Sequence, residues 1–209
     1  MDWNLGIKLL GSELVLDRLL GLYRDIKSPV VSVGSGSGCL ESAALKKDPS
    51  MQLQCVDPDP LSFSKGPVLV KPDFPRVEDL LRSRPDLLDN CVLLLNWAPP
   101  DCDFDLEAIR SLRPRAILCV FEVFFKAAGS ELFHEWLTSQ SEYLLLQKDT
   151  LNQPNWVEPV MCVMLKKDQC SPASGEKFAT MAKPPRTPTS ECSGRDPTAS
   201  KSGTGRPTA

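Results

Sequence analysis

Val30-Val31-Ser32-Val33-Gly34-Ser35-Gly36-Ser37-Gly38-Cys39-Leu40-Glu41 is the stretch that decides how this chain folds. Its first four residues read as a short buried strand, and the residues from Cys39 to about Lys47 read as a helix. Three glycines at alternate positions lie between. A strand that ends inside a molecule and turns sharply into a helix needs backbone angles that glycine tolerates, and absent side chains let a ligand lie against the backbone. The helix adds unpaired N–H groups and the positive end of its dipole, which suit either a pyrophosphate or a carboxylate.

Outward from this unit, short apolar runs alternate with amphipathic stretches, the pattern of a sheet with crossover helices. Residues 12–25 (SELVLDRLLGLYRD) place Leu14, Val15, Arg18, Leu19 and Leu22 mostly on one stripe at helical spacing, and Lys27-Ser28-Pro29 ends that helix. Further strands are expected at 51–56, 67–70, 91–95, 116–123, 143–147 and 160–165. Helices are expected at 77–84, where Pro85 interrupts, at 106–112, and at 130–138 with Ser130 as N-cap. The last two strands flank a polar loop holding Asn152, Pro154 and Asn155, which predicts an antiparallel hairpin. The fold class is therefore α/β: a doubly wound, mostly parallel seven-stranded sheet with helices on both faces and a C-terminal antiparallel hairpin.

With 209 residues and 42% hydrophobic content, the chain can build one domain with a sizeable core. We expect that domain to span residues 1–170. From Ser171 onward there is no Val, Ile or Leu, and a stretch rich in Ser, Thr, Pro and Gly has too little apolar surface to offset the entropy of ordering. Residues 171–209 are thus expected to be a disordered tail. The tail has six basic and three acidic residues, a net +3, so with the whole chain at −3 the body carries −6. An acidic body has no general attraction for phosphates, which disfavours a nucleic-acid partner. The N-terminus is interrupted by Lys8, Glu13, Asp17 and Arg18 and reads as neither signal peptide nor membrane anchor. Eight scattered cysteines, none in a CxxC pair, suit free thiols in a reducing compartment, so the cytoplasm is expected. With His134 the single histidine, no tetrahedral metal site is spelled out.

Spacing separates the ligand classes. Gly34-x-Gly36-x-Gly38 fits GxGxG, whereas the dinucleotide fingerprint GxGxxG wants glycine or alanine where Cys39 stands, which favours S-adenosyl-L-methionine over a nicotinamide dinucleotide. On these residues the chain resembles the class I S-adenosylmethionine-dependent methyltransferases over roughly residues 12–167. The resemblance implies that Gly34, Ser35, Gly36 and Gly38 hold the amino-acid end of the cofactor. It implies that Asp57, in Cys55-Val56-Asp57-Pro58-Asp59, accepts hydrogen bonds from the ribose hydroxyls, a task suited to a carboxylate. Asp73 matches a looser position that contacts adenine, and the terminal hairpin matches the family's one antiparallel strand.

Asn96 follows the fourth expected strand, where this family places residues facing the methyl group. Asn96-Trp97-Ala98-Pro99-Pro100 is similar to the Asn-Pro-Pro-aromatic loop of amino-group methyltransferases, with Trp97-Ala98 inserted and Asp101 in place of the aromatic. The resemblance implies a catalytic role for Asn96 and an acceptor pocket with Trp97, Pro99 and Pro100. A second departure is Ser32, which stands where the family commonly has an acid. Plainer readings stand beside these: Asp57 and Asp73 as loop caps, Trp97 as packing under a proline-stiffened loop, His134 as a helix surface residue, and the cysteines as core. The leading expectation is an enzyme that methylates a small molecule or a protein side chain. The rivals are a non-catalytic interaction protein retaining the fold, and a nucleotide-dependent oxidoreductase, against which Cys39 argues.

Overall fold

The structure is a computed structural model that describes residues 13–60, 67–122, 128–151 and 159–169. Helix α1 (Glu13–Ile26) leads into β1 (Val30–Val33), α2 (Cys39–Lys47) and β2 (Leu53–Val56). Next come α3 (Val77–Ser83), a 3-10 turn (Pro85–Leu87), β3 (Val92–Asn96), α4 (Phe104–Leu112), β4 (Ala116–Glu122), α5 (Glu131–Ser139), β5 (Tyr143–Thr150) and β6 (Pro159–Lys166). The strands form one sheet in the order β2-β1-β3-β4-β6-β5. The first four are parallel, and β6 runs antiparallel to both β4 and β5. The expected hairpin is thus present, while its loop at residues 152–158 and the expected tail from Ser171 lie outside the described residues.

Alternation along the strands sends successive side chains to opposite faces. Val31, Val33, Leu93, Leu95, Ile117 and Cys119 pack with residues of α3, α4 and α5. Val30, Val92, Leu94, Leu118 and Val120 pack with α1 and α2. Helices therefore cover both faces, and the parallel strands read as unbroken apolar runs because both sides are buried. No helix among the described residues is long and apolar enough to cross a membrane.

The sheet has six strands among the described residues where the apolar runs led us to expect seven. Residues 67–70 form no strand. Instead the N–H groups of Leu69 and Val70 both donate to Ser37 O, at 2.7 and 3.5 Å, so this segment lies across the glycine loop. What remains of a strand beside β2 is a single parallel bridge, Val56 to Phe74, in which Asp57 N–H donates to Phe74 O at 3.1 Å. The reason is local: Pro67, Pro72 and Pro75 punctuate the segment, and proline has no N–H to continue a ladder.

Ser130 caps α5 as expected, its Oγ accepting from Phe133 N–H at 3.1 Å. The same serine is held by the buried Asp105 of α4. One Asp105 oxygen accepts from Ser130 N–H (2.8 Å), and the other accepts from Ser130 Oγ–H (2.8 Å) and Leu106 N–H (2.7 Å). His134 is half-buried, not fully on the surface: its Nε2 lies 3.1 Å from Ala128 O, and its ring meets Phe121 and Phe133 edge-on. A nitrogen donating to a backbone carbonyl and flanked by aromatic rings is a packing element.

Candidate cofactor site

Chain order reverses between β1 and β3, since β1 is followed outward by β2 on one side and β3 begins the other half of the sheet. At such a switch point the connections after neighbouring strands diverge and open a crevice at the strands' C-terminal ends. The connections after β1, β2 and β3 begin at Gly34, Asp57 and Trp97. Ser32 is in register with Cys55 and Leu94, and Val33 with Val56 and Leu95, so the expected site residues Gly34, Asp57 and Asn96 form the next row along the same edge.

All three loop glycines have positive φ: +72° at Gly34, +54° at Gly36 and +70° at Gly38. Their surroundings differ. A Cβ on Gly34 would fall 2.7 Å from the Phe104 ring, and one on Gly38 would fall 2.7 Å from Val70, whereas one on Gly36 would meet nothing within 4 Å. Close packing by the chain's own side chains therefore accounts for two glycines, and the middle one faces open space. The loop N–H groups divide similarly. Gly34 N–H donates to Val56 O at 2.8 Å and Gly38 N–H to Ser35 O at 2.9 Å, but Gly36 N–H donates to Asp57 Oδ2 at 2.7 Å. Gly38 is also the N-cap of α2 and brings no side-chain acceptor to the first turn.

Asp57 is thus joined to the loop. Its second oxygen, Oδ1, accepts from Asp59 N–H at 2.9 Å. A carboxylate has about four lone-pair positions; the described contacts use one on each oxygen, so each retains one for a pair of adjacent hydroxyls. Beside it, Ser35 Oγ is buried with no hydrogen-bond partner, an orphaned polar atom inside the loop. At the ends of β1 and β2 opens a cleft of about 490 Å³ whose lining includes Val33, Gly34, Val56, Pro58, Arg76 and Phe104, together with Glu78 and Glu107. That volume lies in the usual range for ligand sites, roughly 300–1,000 Å³. An open middle glycine, an orphaned hydroxyl and a carboxylate with unused acceptor positions thus stand close in the chain to the cleft-lining residues Gly34, Val56 and Pro58.

The remaining expected residues are arranged differently. Asp73 Oδ2 accepts from Cys55 N–H at 2.8 Å, and Asp73 N–H donates to Cys55 O at 2.8 Å, so this acid closes the outer edge of β2. Of the expected site residues Gly34 alone lines the cleft; Ser35, Gly36, Gly38 and Asp57 lie close to its wall in the chain, and Asp73, Asn96, Trp97, Pro99 and Pro100 are not part of its lining either. Asn96 Oδ1 is buried without a hydrogen-bond partner, a state that costs about 1–3 kcal/mol for a polar group. Trp97 has φ +64°, a left-handed conformation rare for a bulky side chain, and packs against the cores on both sides of the sheet.

Two contributors escape the sequence reading. Phe104 is the first residue of α4, two residues before the helix start expected from periodicity, and only the fold brings its ring onto Gly34. Glu41, in the first turn of α2, is 1% exposed, and its Oε1 accepts from Ser32 Oγ–H at 2.6 Å. Burial pushes its carboxyl above the usual range, the hydrogen bonds from Ser32 and from its own backbone N–H pull it back, and the Asp57 charge pushes it up again. A signal for Glu41 existed: it stands three residues before Ala44, on the buried stripe of the helix.

The sequence matches no protein-family model and no curated protein. Among solved structures it is similar to a candidate O-methyltransferase from Klebsiella pneumoniae, at 14% identity and a TM-score of 0.51 over 74% of this chain and 80% of that one. Weaker likenesses, which carry no argument, include a magnesium protoporphyrin IX methyltransferase from Synechocystis PCC 6803 with bound SAM (11% identity, TM-score 0.48, 75% and 80% covered). A SAM-dependent methyltransferase from Anabaena variabilis is also similar (11% identity, TM-score 0.46, 79% and 92% covered). Identities this low carry the architecture alone, and the architecture is that of the class I methyltransferase fold.

Proposed function

We propose that the chain binds S-adenosylmethionine at the β1–β2 edge and transfers its methyl group to an acceptor presented near the β3 connection. The observation that carries this reading is the hydrogen bond from Gly36 N–H to Asp57 Oδ2, an acid whose chain neighbours Val56 and Pro58 line the cleft. It ties the open glycine of the loop to the acid at the end of β2, so one ligand can meet both. The cofactor supplies a methyl group already activated on a sulfonium, which leaves the protein little acid–base work and makes alignment and exclusion of water the main sources of acceleration.

Each residue then has a task. Gly36 leaves room at the loop, and the first-turn N–H groups of α2 with the Ser35 hydroxyl receive the carboxylate of the amino-acid end. Asp57 accepts from the two ribose hydroxyls. Phe104 and the apolar wall from Val33, Val56 and Val77 take a flat apolar face, and Arg76 and Glu78 add charged groups to the lining. Asp73 supports the edge of β2 that positions Asp57. Asn96 Oδ1 offers an acceptor to a polar hydrogen of the methyl acceptor, with Trp97, Pro99 and Pro100 shaping that side; a small molecule or a protein side chain is the proposed acceptor class.

Calorimetric titration of the full chain with S-adenosylmethionine and S-adenosylhomocysteine, with NAD and NADP as controls, tests the reading. Micromolar binding of the sulfur ligands alone, about −8 kcal/mol, is expected. Binding of none of the four would overturn it.

A further inference from the structure

Ser32 stands where an acid is common in the fold's methyltransferases, and the structure does not leave that place without one. Ser32 has the same parity in β1 as Val30, so its side chain points to the face covered by α1 and α2. Directly there, from the third position of α2, comes Glu41. The Ser32 Oγ to Glu41 Oε1 distance is 2.6 Å, the length of a charge-assisted O–H···O⁻ bond, and both groups are buried. The first turn of a helix also favours a negative side chain.

We infer that Glu41 is a positioning residue of the cofactor loop, a buried carboxylate relocated from strand β1 to helix α2, with Ser32 as its relay to the strand; this rests on the reading given under Proposed function. Three observations support the inference. Ser32 and Glu41 bracket the loop, one two residues before Gly34 and the other three after Gly38, so their hydrogen bond closes the turn from beneath. No cation forms an ion pair with Glu41 among the described residues, and the charge of another acid, Asp57, pushes its carboxyl up. A carboxylate buried without a counter-charge is costly, and a ligand whose amino-acid end carries an ammonium supplies the charge that the described residues do not. Glu41 touches the loop's supports and not the reacting atoms, so its role is to hold the loop and set the charge behind it.

The test compares four full-length proteins by calorimetric titration with S-adenosylmethionine and S-adenosylhomocysteine: wild type, Glu41→Gln, Ser32→Asp/Glu41→Gln and Ser32→Ala. Glu41→Gln keeps the size and an acceptor oxygen but loses the charge, and its affinity for both ligands should fall at least about tenfold. The double variant returns a carboxylate to the strand, with the introduced side-chain amide on α2 now the donor, and should recover most of that loss. A role in packing alone would not respond to moving the charge. Ser32→Ala, which keeps the carboxylate but removes the relay, should lose less than Glu41→Gln. Folding is checked by circular dichroism. If Glu41→Gln does not fold, the double variant decides alone: a folded double variant that binds supports the relocation, and a folded one that does not bind overturns it. Wild-type affinity in folded Glu41→Gln also overturns it. If the wild type itself binds neither ligand, the proposed function has failed and the role of Glu41 falls with it.

Discussion

Asp105 and Glu41 are both 1% exposed, both near the start of a helix and both raised by burial above the usual carboxylate range, yet their surroundings are unlike. Asp105 accepts three hydrogen bonds, from Leu106 N–H and from the backbone and hydroxyl of Ser130, and locks the start of α4 to the start of α5. Glu41 accepts one from another side chain, Ser32, and has the acid Asp57 acting on it. A buried carboxylate with a full set of donors serves packing. One held by a single side-chain hydroxyl and its own backbone N–H has fewer donors and more capacity left for a ligand's charge.

The sharpest way to break this contrast is to remove the satisfied acid. Asp105→Ala leaves the buried Ser130 N–H without its acceptor and should lower the unfolding free energy by about 3 kcal/mol, read as a drop in the urea midpoint. A loss under about 1 kcal/mol would mean that the α4–α5 junction does not depend on it. Next in size is Gly36→Leu, which has room for its Cβ but enters the space assigned to the ligand. Its affinity for S-adenosylmethionine should fall at least about 100-fold, near 2.7 kcal/mol, while the left-handed φ costs the fold only about 1–2 kcal/mol. Unchanged affinity would put the ligand elsewhere. Asp57→Asn keeps one acceptor oxygen and should cost about tenfold in affinity, with a similar loss for S-adenosylhomocysteine because both ligands carry the same ribose. Discrimination between the two ligands would remove Asp57 from the ribose.

The smallest effect is in pH. Glu41 holds its proton more tightly folded than unfolded, so its contribution to stability is fullest below its ordinary value of 4.5 and declines as pH rises from there through the raised folded value. The Glu41→Gln variant has no proton to lose there. Thermal denaturation between about pH 4 and about pH 7 should therefore show the variant gaining on the wild type as pH rises. A constant gap would mean that the carboxyl titrates as it does in the unfolded chain.

Legibility varied from segment to segment for physical reasons. β1, the glycine turn and α2 are local: valines, glycines and the helix start lie within eighteen residues, and each conformation follows from neighbouring residue types. Ser130 is similar, since an N-cap serves the helix that it begins. Residues 67–70 escape such a reading because a short apolar run looks the same whether it pairs with a strand or lies on a loop. The contact that chose between them is to Ser37, more than thirty residues earlier. Asp73 was placed near its structural neighbourhood, but its carboxylate is directed to the edge of β2 by the one-residue bridge at Phe74.

What the sequence by itself determined is the doubly wound α/β architecture, the terminal hairpin, the glycine turn and the acid after β2, because hydrophobic periodicity and backbone permissiveness act between residues close in the chain. Only the tertiary structure decided that Phe104 and Val70 cover two of the glycines, that Gly36 stays open, and that Glu41 supplies a carboxylate behind Ser32. Those outcomes depend on which side chains the packed helices bring together across the sheet edge, and burial and charge there belong to no single segment.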